Sequence, residues 1–484
     1  MKRRSYLVVS LVLALSLLLA SPASALFLPS DGQAATLVLG QLDFTSSTAQ
    51  LTQSGLNSPQ DVTVDPVSAK VFVADTVNNR VLRFASLAAL KSGSAAEAVL
   101  GQPDFTSSAA RTTQNGLHSP VGLAVDSSGR LWVVDAQNSR VLRFDHAATA
   151  ANGANADGVL GQPDFVTKAE NTTQNGMASP AYATADASGR LWVADWSNTR
   201  VLRFDAAASK SNGADADGVL GEPNFTSTDA RTTQDGFWAP AGVAVDASGR
   251  LWVADFGNNR VLRFDSAASK ANGANADAVL GQPDFTSRSV GGGQSGLNDP
   301  AGVAVDAGSG LYVADEFSSR VLFFAAAASL PNGGNASYVL GQPDFTTGTP
   351  NTGGISSATL NYPTGLFYDP VAQVLLGSDG SNNRVLMYGQ PYATLHILPF
   401  IGLVRLFLPP GVTPIGSIEI QTADGALHTF DVAPDARILP SKRASQLGDG
   451  SFVTVLTRFD ESTGNMVVFQ IVVHPNGVGP GSAP

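Results

Sequence analysis

The sequence predicts an all-β protein: a six-bladed β-propeller of four-stranded blades, closed by an N-terminal strand and followed by a small C-terminal β domain. Each repeat of about sixty residues contains four short strand patterns separated by turns rich in Gly and Asp. Because one such unit cannot bury its own apolar face, the copies are expected to stack on one another. The motif Val-Leu-Gly-Gln-Pro-Asp-Phe, or a close variant, recurs at spacings of 61, 60, 60, 60 and 60 residues, starting at Val38, Val99, Val159, Val219, Val279 and Val339.

The first element of the chain has the pattern of an export signal. A basic start is followed by an apolar run from Leu7 to Ala20 and by Ala23-Ser24-Ala25. This pattern predicts a signal peptide over 1–25, followed by a linker over 26–36. An uncleaved anchor is the alternative, although the run is short for a membrane span. The mature protein is therefore expected to be secreted, either extracellular or periplasmic, with no membrane span after signal cleavage.

The fourth repeat shows how one blade is built. The pattern predicts strands over 239–246, 251–255, 260–265 and 278–282, with a tight turn over 247–250, another over 256–259 and one or two helical turns in 266–275. Pro283 lacks a backbone donor and ends the fourth strand. The second strand is apolar throughout, as in Leu131–Val134 of another copy, which indicates a strand covered on both faces.

The two ends of the ring are predicted to share one blade. The first copy of the fourth-strand motif precedes every first strand, and the last repeat ends near Tyr388 without such a motif. The segment Leu37–Gln41 is therefore expected to complete the last blade, which gives a propeller over 37–390. The first strands begin near Pro59, Pro120, Pro180, Pro240, Pro300 and Pro363.

The period is lost after the ring. An apolar connector is predicted over 391–409 and a small β domain over 410–475, in which hairpins turn at Asp424-Gly425 and Gly464-Asn465. The final 476–484 is predicted to be a disordered tail.

Composition narrows the classes of partner. Losing the three basic residues of the signal peptide, and no acidic ones, takes the net charge from −11 to −14. Such a charge disfavours nucleic acid, whose phosphates attract Lys and Arg. The chain has no cysteine, so disulfides and thiolate chemistry are excluded. The composition is typical of a bacterial protein, and a monomer is expected.

The repeat resembles the NHL family. The resemblance rests on Pro-Ala-Gly-Val-Ala-Val-Asp, then Gly-Arg-Leu-Trp-Val-Ala-Asp-x-x-Asn-Asn-Arg-Val-Leu-Arg-Phe, and it covers all six copies. It implies the propeller fold but no single activity, since NHL propellers include RNA-binding and protein-binding modules, a sensor domain and a peptide-amidating lyase. Related six-bladed propellers include calcium-dependent lactonases. Where the family has His, this chain has Asn79, Ser139, Thr199, Asn259, Ser319 and Asn383.

One Asp and one Arg, five residues apart, recur in every copy and are predicted to be structural. A single active site would need only one such pair, whereas Asp closes turns by bonding the nearby backbone. We expect turn capping and bridging between blades from the pairs Asp75–Arg80, Asp135–Arg140, Asp195–Arg200, Asp255–Arg260, Asp315–Arg320 and Asp379–Arg384.

Departures from the repeat mark the candidate binding residues. Asp61 and Tyr182 replace the glycine of the first strand, and the others lie in loops predicted to share one face of the ring. Clustered aromatic residues there favour a surface that binds protein or carbohydrate, although they could instead pack beneath the loops. The loop candidates are Trp196, Phe237, Trp238, Phe256, Glu316 and Phe317.

These patterns favour a non-catalytic binding scaffold, and no catalytic residue or metal ligand is predicted. His118 and His146 are expected on opposite faces of a blade and cannot share a metal. The loops 152–158 and 212–218 resemble calcium loops but lack several oxygen ligands, so calcium is only an alternative and no cofactor is predicted. The competing hypothesis is a metal-dependent lactonase or lyase with its site in the central channel.

Overall fold

A computed structural model describes residues 29–389 and the five strands 400–408, 416–422, 427–439, 452–460 and 465–473. The predicted signal peptide and the predicted C-terminal tail lie outside the described residues. No helix within the described residues is long and apolar enough to cross a membrane.

Residues 29–389 form six four-stranded antiparallel sheets, which confirms the predicted propeller. The strands run in chain order through β1 (Leu37–Leu39), β2 (Pro59–Val64), β3 (Lys70–Asp75), β4 (Arg80–Ser86), β5 (Ala98–Leu100), β6 (Pro120–Val125), β7 (Leu131–Asp135), β8 (Arg140–Phe144), β9 (Gly158–Leu160), β10 (Ala183–Ala185), β11 (Leu191–Asp195), β12 (Arg200–Phe204), β13 (Gly218–Leu220), β14 (Pro240–Val245), β15 (Leu251–Asp255), β16 (Arg260–Phe264), β17 (Ala278–Leu280), β18 (Pro300–Val305), β19 (Leu311–Asp315), β20 (Arg320–Phe324), β21 (Tyr338–Leu340), β22 (Pro363–Asp369), β23 (Val374–Asp379) and β24 (Arg384–Tyr388).

The N-terminal strand closes the ring, as the count of fourth-strand motifs predicts. Blade 1 is β2–β5, and each later blade takes the next four strands until blade 6, which has the order β1-β24-β23-β22. In that blade Leu37 pairs with Met387 and Leu39 pairs with Val385. The first strand of each blade contacts the first strand of the next, and β22 contacts β2, so the first strands surround the centre of the ring.

Helical structure within 29–389 is confined to three-residue 3-10 turns. Those that follow a second strand end at a residue in the left-handed conformation, such as Asn259 with φ of 53°. This is the position where the NHL family has His, and Asn tolerates left-handed backbone better than most residues. The turns are Leu87–Ala89, Ala136–Asn138, Ala147–Thr149, Trp196–Asn198, Ala207–Ser209, Phe256–Asn258, Ala267–Ser269, Glu316–Ser318, Ala327–Ser329 and Gly380–Asn382.

Apolar side chains fill the interfaces between blades. Six buried clusters occur in the ring, one for each pair of neighbouring blades. The second strands are buried along their whole length in blades 2 to 6, as their apolar sequences predict. Trp192 and Trp252 are among the largest fully buried side chains.

Glycine in the first strands permits close contact between blades. A Cβ built on Gly302 would collide with the Thr364 carbonyl oxygen of the next blade, and one on Gly242 would collide with the Ala301 carbonyl oxygen. Backbone atoms cannot rotate away as a flexible side chain can, so the packing around the centre selects glycine at these positions.

Five more strands are described beyond the ring. They are β25 (Phe400–Leu408), β26 (Gly416–Thr422), β27 (Leu427–Leu439), β28 (Phe452–Asp460) and β29 (Asn465–Val473), and they pair as a closed barrel in the order β25-β26-β27-β29-β28. The antiparallel pairs β26–β27 and β28–β29 correspond to the two hairpins in the sequence pattern. Strand β25 lies within the predicted connector over 391–409, and the turn residues Asp424, Gly425 and Gly464 lie outside the described residues.

Candidate functional site

The repeated Asp–Arg pairs form buried ion pairs at the end of each blade where the second and third strands meet. All twelve side chains are buried, and the Arg Nε to Asp Oδ2 distances are 2.6 to 2.8 Å. In blade 4, Arg260 also donates to the carbonyls of Thr233, Gly236 and Phe285, which lie in the loops entering and leaving the blade. Each pair therefore fixes the loops of this face.

The acidic member of each pair caps a loop, as predicted. Asp255 Oδ1 accepts a hydrogen bond of 2.7 Å from the backbone N–H of Trp238, and the other five copies make the same bond. The Arg of each pair also holds the loop that leads on to the next blade, as Arg200 does by donating to the Phe225 carbonyl. A second arginine of the same strand, Arg203, bonds directly to blade 4 by donating to the Ala268 carbonyl.

One buried carboxyl breaks the repeat at a structural position. Gln162 donates to the carbonyls of Ser139 and Ala169, and the glutamines of four other blades make equivalent bonds. The loop that enters blade 4 has Glu222 at this position, and an ionised carboxylate cannot donate. Its Oε1 accepts from Thr199 Oγ1 at 2.8 Å, while its Oε2 makes no hydrogen bond and lies 3.8 Å from Arg231 Nη2. Burial raises the pKa of Glu222.

The Glu222→Gln substitution is expected to stabilise the protein by about 1 to 3 kcal/mol at alkaline pH, because it supplies the missing donors. The folded-state pKa of Glu222 lies above the unfolded value, so the free energy of unfolding of the wild type should fall as pH rises past 4.5. Urea unfolding at pH 5 and pH 8 should show a smaller pH dependence in the variant. Gln162→Glu is the matched control and should create the same dependence in blade 3; equal pH dependence in all three proteins would contradict the prediction.

The centre of the ring is occupied by the two residues that replace glycine. Tyr182 of blade 3 is 7% exposed, and its hydroxyl donates to the Gln60 carbonyl of blade 1 at 3.0 Å. Thr364 of blade 6 donates to the same carbonyl at 3.0 Å. Blade 6 lies opposite blade 3 in the ring. The Tyr182 side chain must therefore cross the centre to reach a carbonyl that blade 6 also binds.

Asp61 lies beside this tyrosine and is bound by backbone groups. Its Oδ1 accepts from the N–H of Val62 at 2.9 Å, and its Oδ2 accepts from the N–H of Leu123 at 2.7 Å. Burial raises the pKa of Asp61 to about 8. Burial, together with the charges of Asp61 and Glu316, raises the pKa of Tyr182. The structure thus brings Asp61, Tyr182 and Glu316 together.

Four aromatic residues form a continuous arc across blades 3 to 6. The ring centroids are 4.9 Å apart for Trp196 and Phe256, 6.3 Å for Phe256 and Phe317, and 5.2 Å for Phe317 and Tyr362. Phe317 is 47% exposed, and the other three are partly buried. We call these four residues the aromatic arc. The sequence analysis missed Tyr362, although the equivalent residue of three other blades is Ser.

The two adjacent aromatic residues of blade 4 have different environments. Trp238 is 42% exposed, and the Arg288 guanidinium lies 5.0 Å from its ring centroid. Phe237 is fully buried and makes an edge contact with Phe264, so it packs beneath the loops, the alternative left open by the sequence, and it is not part of the exposed face. The reason is that Phe237 packs under Gly221, where other blades have Leu or Met.

Two carboxyls lie at the edge of the aromatic arc in blade 5. The Phe317 N–H donates to the Asn298 carbonyl at 3.2 Å, which joins the loops that carry Glu316 and Asp299. Burial and the charge of Asp299 raise the pKa of Glu316 to about 7. Burial also raises the pKa of Asp299, a residue that the sequence analysis did not select.

The asparagines of the two loops that resemble calcium loops form hydrogen bonds between blades. Asn152 and Asn212, in the loops that resemble calcium loops, accept hydrogen bonds from the backbone N–H groups of Val99 and Val159 in the preceding blade. Among the described residues, no group of three or more His, Asp or Glu side chains is arranged to hold a metal ion.

Comparisons with known proteins agree with this architecture. The model of the NHL repeat matches residues 117–144 and 237–264, in blades 2 and 4. No protein of curated function matches the sequence significantly.

Several solved structures are similar to this chain at low sequence identity. Virginiamycin B lyase from Staphylococcus aureus is 13% identical, with 68% of this chain and 80% of that chain covered and a TM-score of 0.37. An auxiliary nutrient-binding protein from Bacteroides thetaiotaomicron is 12% identical, with coverages of 74% and 77% and a TM-score of 0.45. A provisionally assigned gluconolactonase is 14% identical, with coverages of 73% and 96% and a TM-score of 0.42.

Identities this low do not indicate a shared activity. The repeat match, together with the six closed blades, classifies the architecture. The chain is a six-bladed β-propeller that carries NHL repeats.

Proposed function

We propose that this protein is a secreted, non-catalytic scaffold that binds a protein or carbohydrate ligand on the face bearing the aromatic arc. The observation that carries the proposal is the continuity of the arc over four blades, with Phe317 about half exposed. Large aromatic rings supply contact area at a low cost in side-chain entropy, and they are frequent anchors of binding surfaces.

The rigidity of this face also supports a binding role. The loops that carry Trp196, Phe256 and Phe317 directly follow the buried Asp of each ion pair. A surface held in place before binding loses less conformational entropy when the ligand arrives. The acidic net charge and the predicted export signal favour an extracytoplasmic ligand other than nucleic acid.

A metal-dependent lactonase or lyase with its site in the channel is the second candidate. Its main residues would be Asp61 and Tyr182, which break the repeat at the centre of the ring. Both carboxylate oxygens of Asp61 accept backbone hydrogen bonds, and the Tyr182 hydroxyl is bound to blade 1. These bonds account for both side chains structurally, and we therefore favour the face over the channel.

The double substitution Trp196→Ala with Phe317→Ala is expected to weaken ligand binding at least tenfold, because each anchor contributes about 1 kcal/mol or more. Ligands would first be selected with the wild type on arrays of oligosaccharides and of blocked peptides, and their affinities then measured by titration calorimetry. Val77→Ala is the matched control, because Val77 occupies the position of Phe317 in blade 1 and is 55% exposed. Unchanged affinity in the folded double variant, or no ligand on either array, would count against the proposal.

A further inference from the structure

The ligand chemistry of this face can be narrowed, on the assumption that the face binds a ligand as proposed above. We propose that Glu316 and Asp299, at the edge of the aromatic arc, receive the guanidinium or ammonium group of a cationic peptide segment. The candidate site consists of these two carboxyls and the rings of Phe256, Phe317 and Tyr362.

The acidic pair is specific to blade 5. At the position of Glu316 the other blades have Thr76, Ala136, Trp196, Phe256 and Gly380. At the position of Asp299 they have Ser58, Ser119, Ser179, Ala239 and Tyr362. The repeat architecture therefore does not require an acid at either position, in contrast to the Asp of the buried ion pairs.

Neither carboxylate has a hydrogen-bond donor or a counter-ion in the part of the protein that the structure describes. The carboxylate oxygens of Glu316 and Asp299 accept no hydrogen bond and form no ion pair there, whereas Asp61, Asp255 and Glu222 all accept hydrogen bonds. The charge of Asp299 disfavours ionisation of Glu316, which is itself half-buried. A ligand cation would relieve this repulsion and replace the solvent lost on burial.

The adjacent rings select for an organic cation. Phe317 directly follows Glu316, and its ring makes edge contacts with Phe256 and Tyr362. Aromatic faces attract guanidinium and ammonium groups, and Arg288 lies over Trp238 in the same part of the ring. A planar guanidinium can pair with a carboxylate while it stacks on a ring, which favours arginine over a hydrated metal ion.

The test compares two libraries of blocked pentapeptides that differ only in a central arginine or its neutral isostere, citrulline. Binding to the full-length protein would be measured by fluorescence anisotropy at pH 8 and pH 6. At pH 8 we expect the best arginine peptides to bind at least tenfold more tightly than their citrulline counterparts. At pH 6 the ratio should shrink, because Glu316, with a pKa of about 7, takes up a proton. Asp299 is the neighbouring charge that acts on Glu316, whereas Tyr182, the other titratable neighbour, stays neutral at both pH values because its own pKa is raised.

The variant Glu316→Gln should bring the ratio at pH 8 close to one, and Asp299→Asn should reduce it. Asp215→Asn is the control, since it removes the same charge from an exposed loop residue of another blade and should leave the ratio unchanged. Equal binding of both libraries by the wild type, or an unchanged ratio in Glu316→Gln, overturns this inference. If oligosaccharides or citrulline peptides then still bind and are lost in the Trp196→Ala and Phe317→Ala double variant, the proposed function stands. If that variant binds normally, the proposed function fails as well.

Discussion

Deleting residues 29–41 is expected to destabilise the ring by on the order of 5 kcal/mol or more, since three buried aliphatic side chains contribute about 1.5 to 3 kcal/mol each. Leu37, Val38 and Leu39 are buried, and the strand they form is the fourth strand of blade 6. The segment also binds blade 5, because Asp31 accepts a hydrogen bond from the Val339 N–H at 3.0 Å. The loss is comparable with the net stability of a whole domain.

The deletion is best tested by restoring the strand as a separate molecule. Chemical unfolding of the truncated protein should begin at much lower denaturant concentration than that of the intact chain. A synthetic peptide of residues 29–41 should recover much of the stability, while the same peptide with Val38→Asp should not, because the charge would be buried between blades. Unfolding that is unaffected by the deletion would show that the ring does not depend on this closure.

Replacing Arg260 by Ala is expected to cost about 3 to 5 kcal/mol, the range for breaking a buried ion pair by removing one partner. The substitution leaves the buried carboxylate of Asp255 without its counter-ion. It also removes the donors to the carbonyls of Thr233, Gly236 and Phe285. The measurement is the free energy of unfolding from denaturant titration.

Two further variants separate the buried charge from general loss of contacts. Lys270→Ala breaks the more exposed pair with Asp277 in the same blade and should cost about 1 kcal/mol or less. Arg260→Met combined with Asp255→Leu removes both charges and should recover part of the loss. If Arg260→Ala were no more destabilising than Lys270→Ala, the ion pairs would not have the structural role assigned to them.

Much of the architecture can be predicted from local sequence patterns, because each blade repeats the same strand patterns and turn residues. The fourth-strand motif, counted against the first strands, predicted that Leu37–Leu39 closes the last blade, and the pairing with β24 confirms it. The recurrence of Asp and Arg predicted a structural pair, since a property shared by all six copies belongs to the blade. The carbonyls that each guanidinium binds in the entering and leaving loops could not be predicted, because those contacts join residues 24 to 28 positions apart.

The candidate site was only partly predictable. Departures from the repeat identified Trp196, Phe256, Glu316 and Phe317, and the structure places all four on one side of the ring. The same criterion also selected Phe237, which is buried. Its side chain fills the core position beneath Gly221 that a smaller Leu or Met fills in the other blades. It overlooked Tyr362, Asp299 and Glu222, although these residues also differ from those at the equivalent positions of the other blades.

The sequence by itself determined the number of blades, their strand order and the closure of the ring, since period, turn residues and strand patterns are properties of short segments. The tertiary structure decided which of the residues that depart from the repeat contact one another. Tyr182 contacts blade 1 because the ring brings residues 122 positions apart within 3.0 Å. The aromatic arc exists because neighbouring blades place single residues side by side, and the exposure of each residue depends on how closely those blades pack.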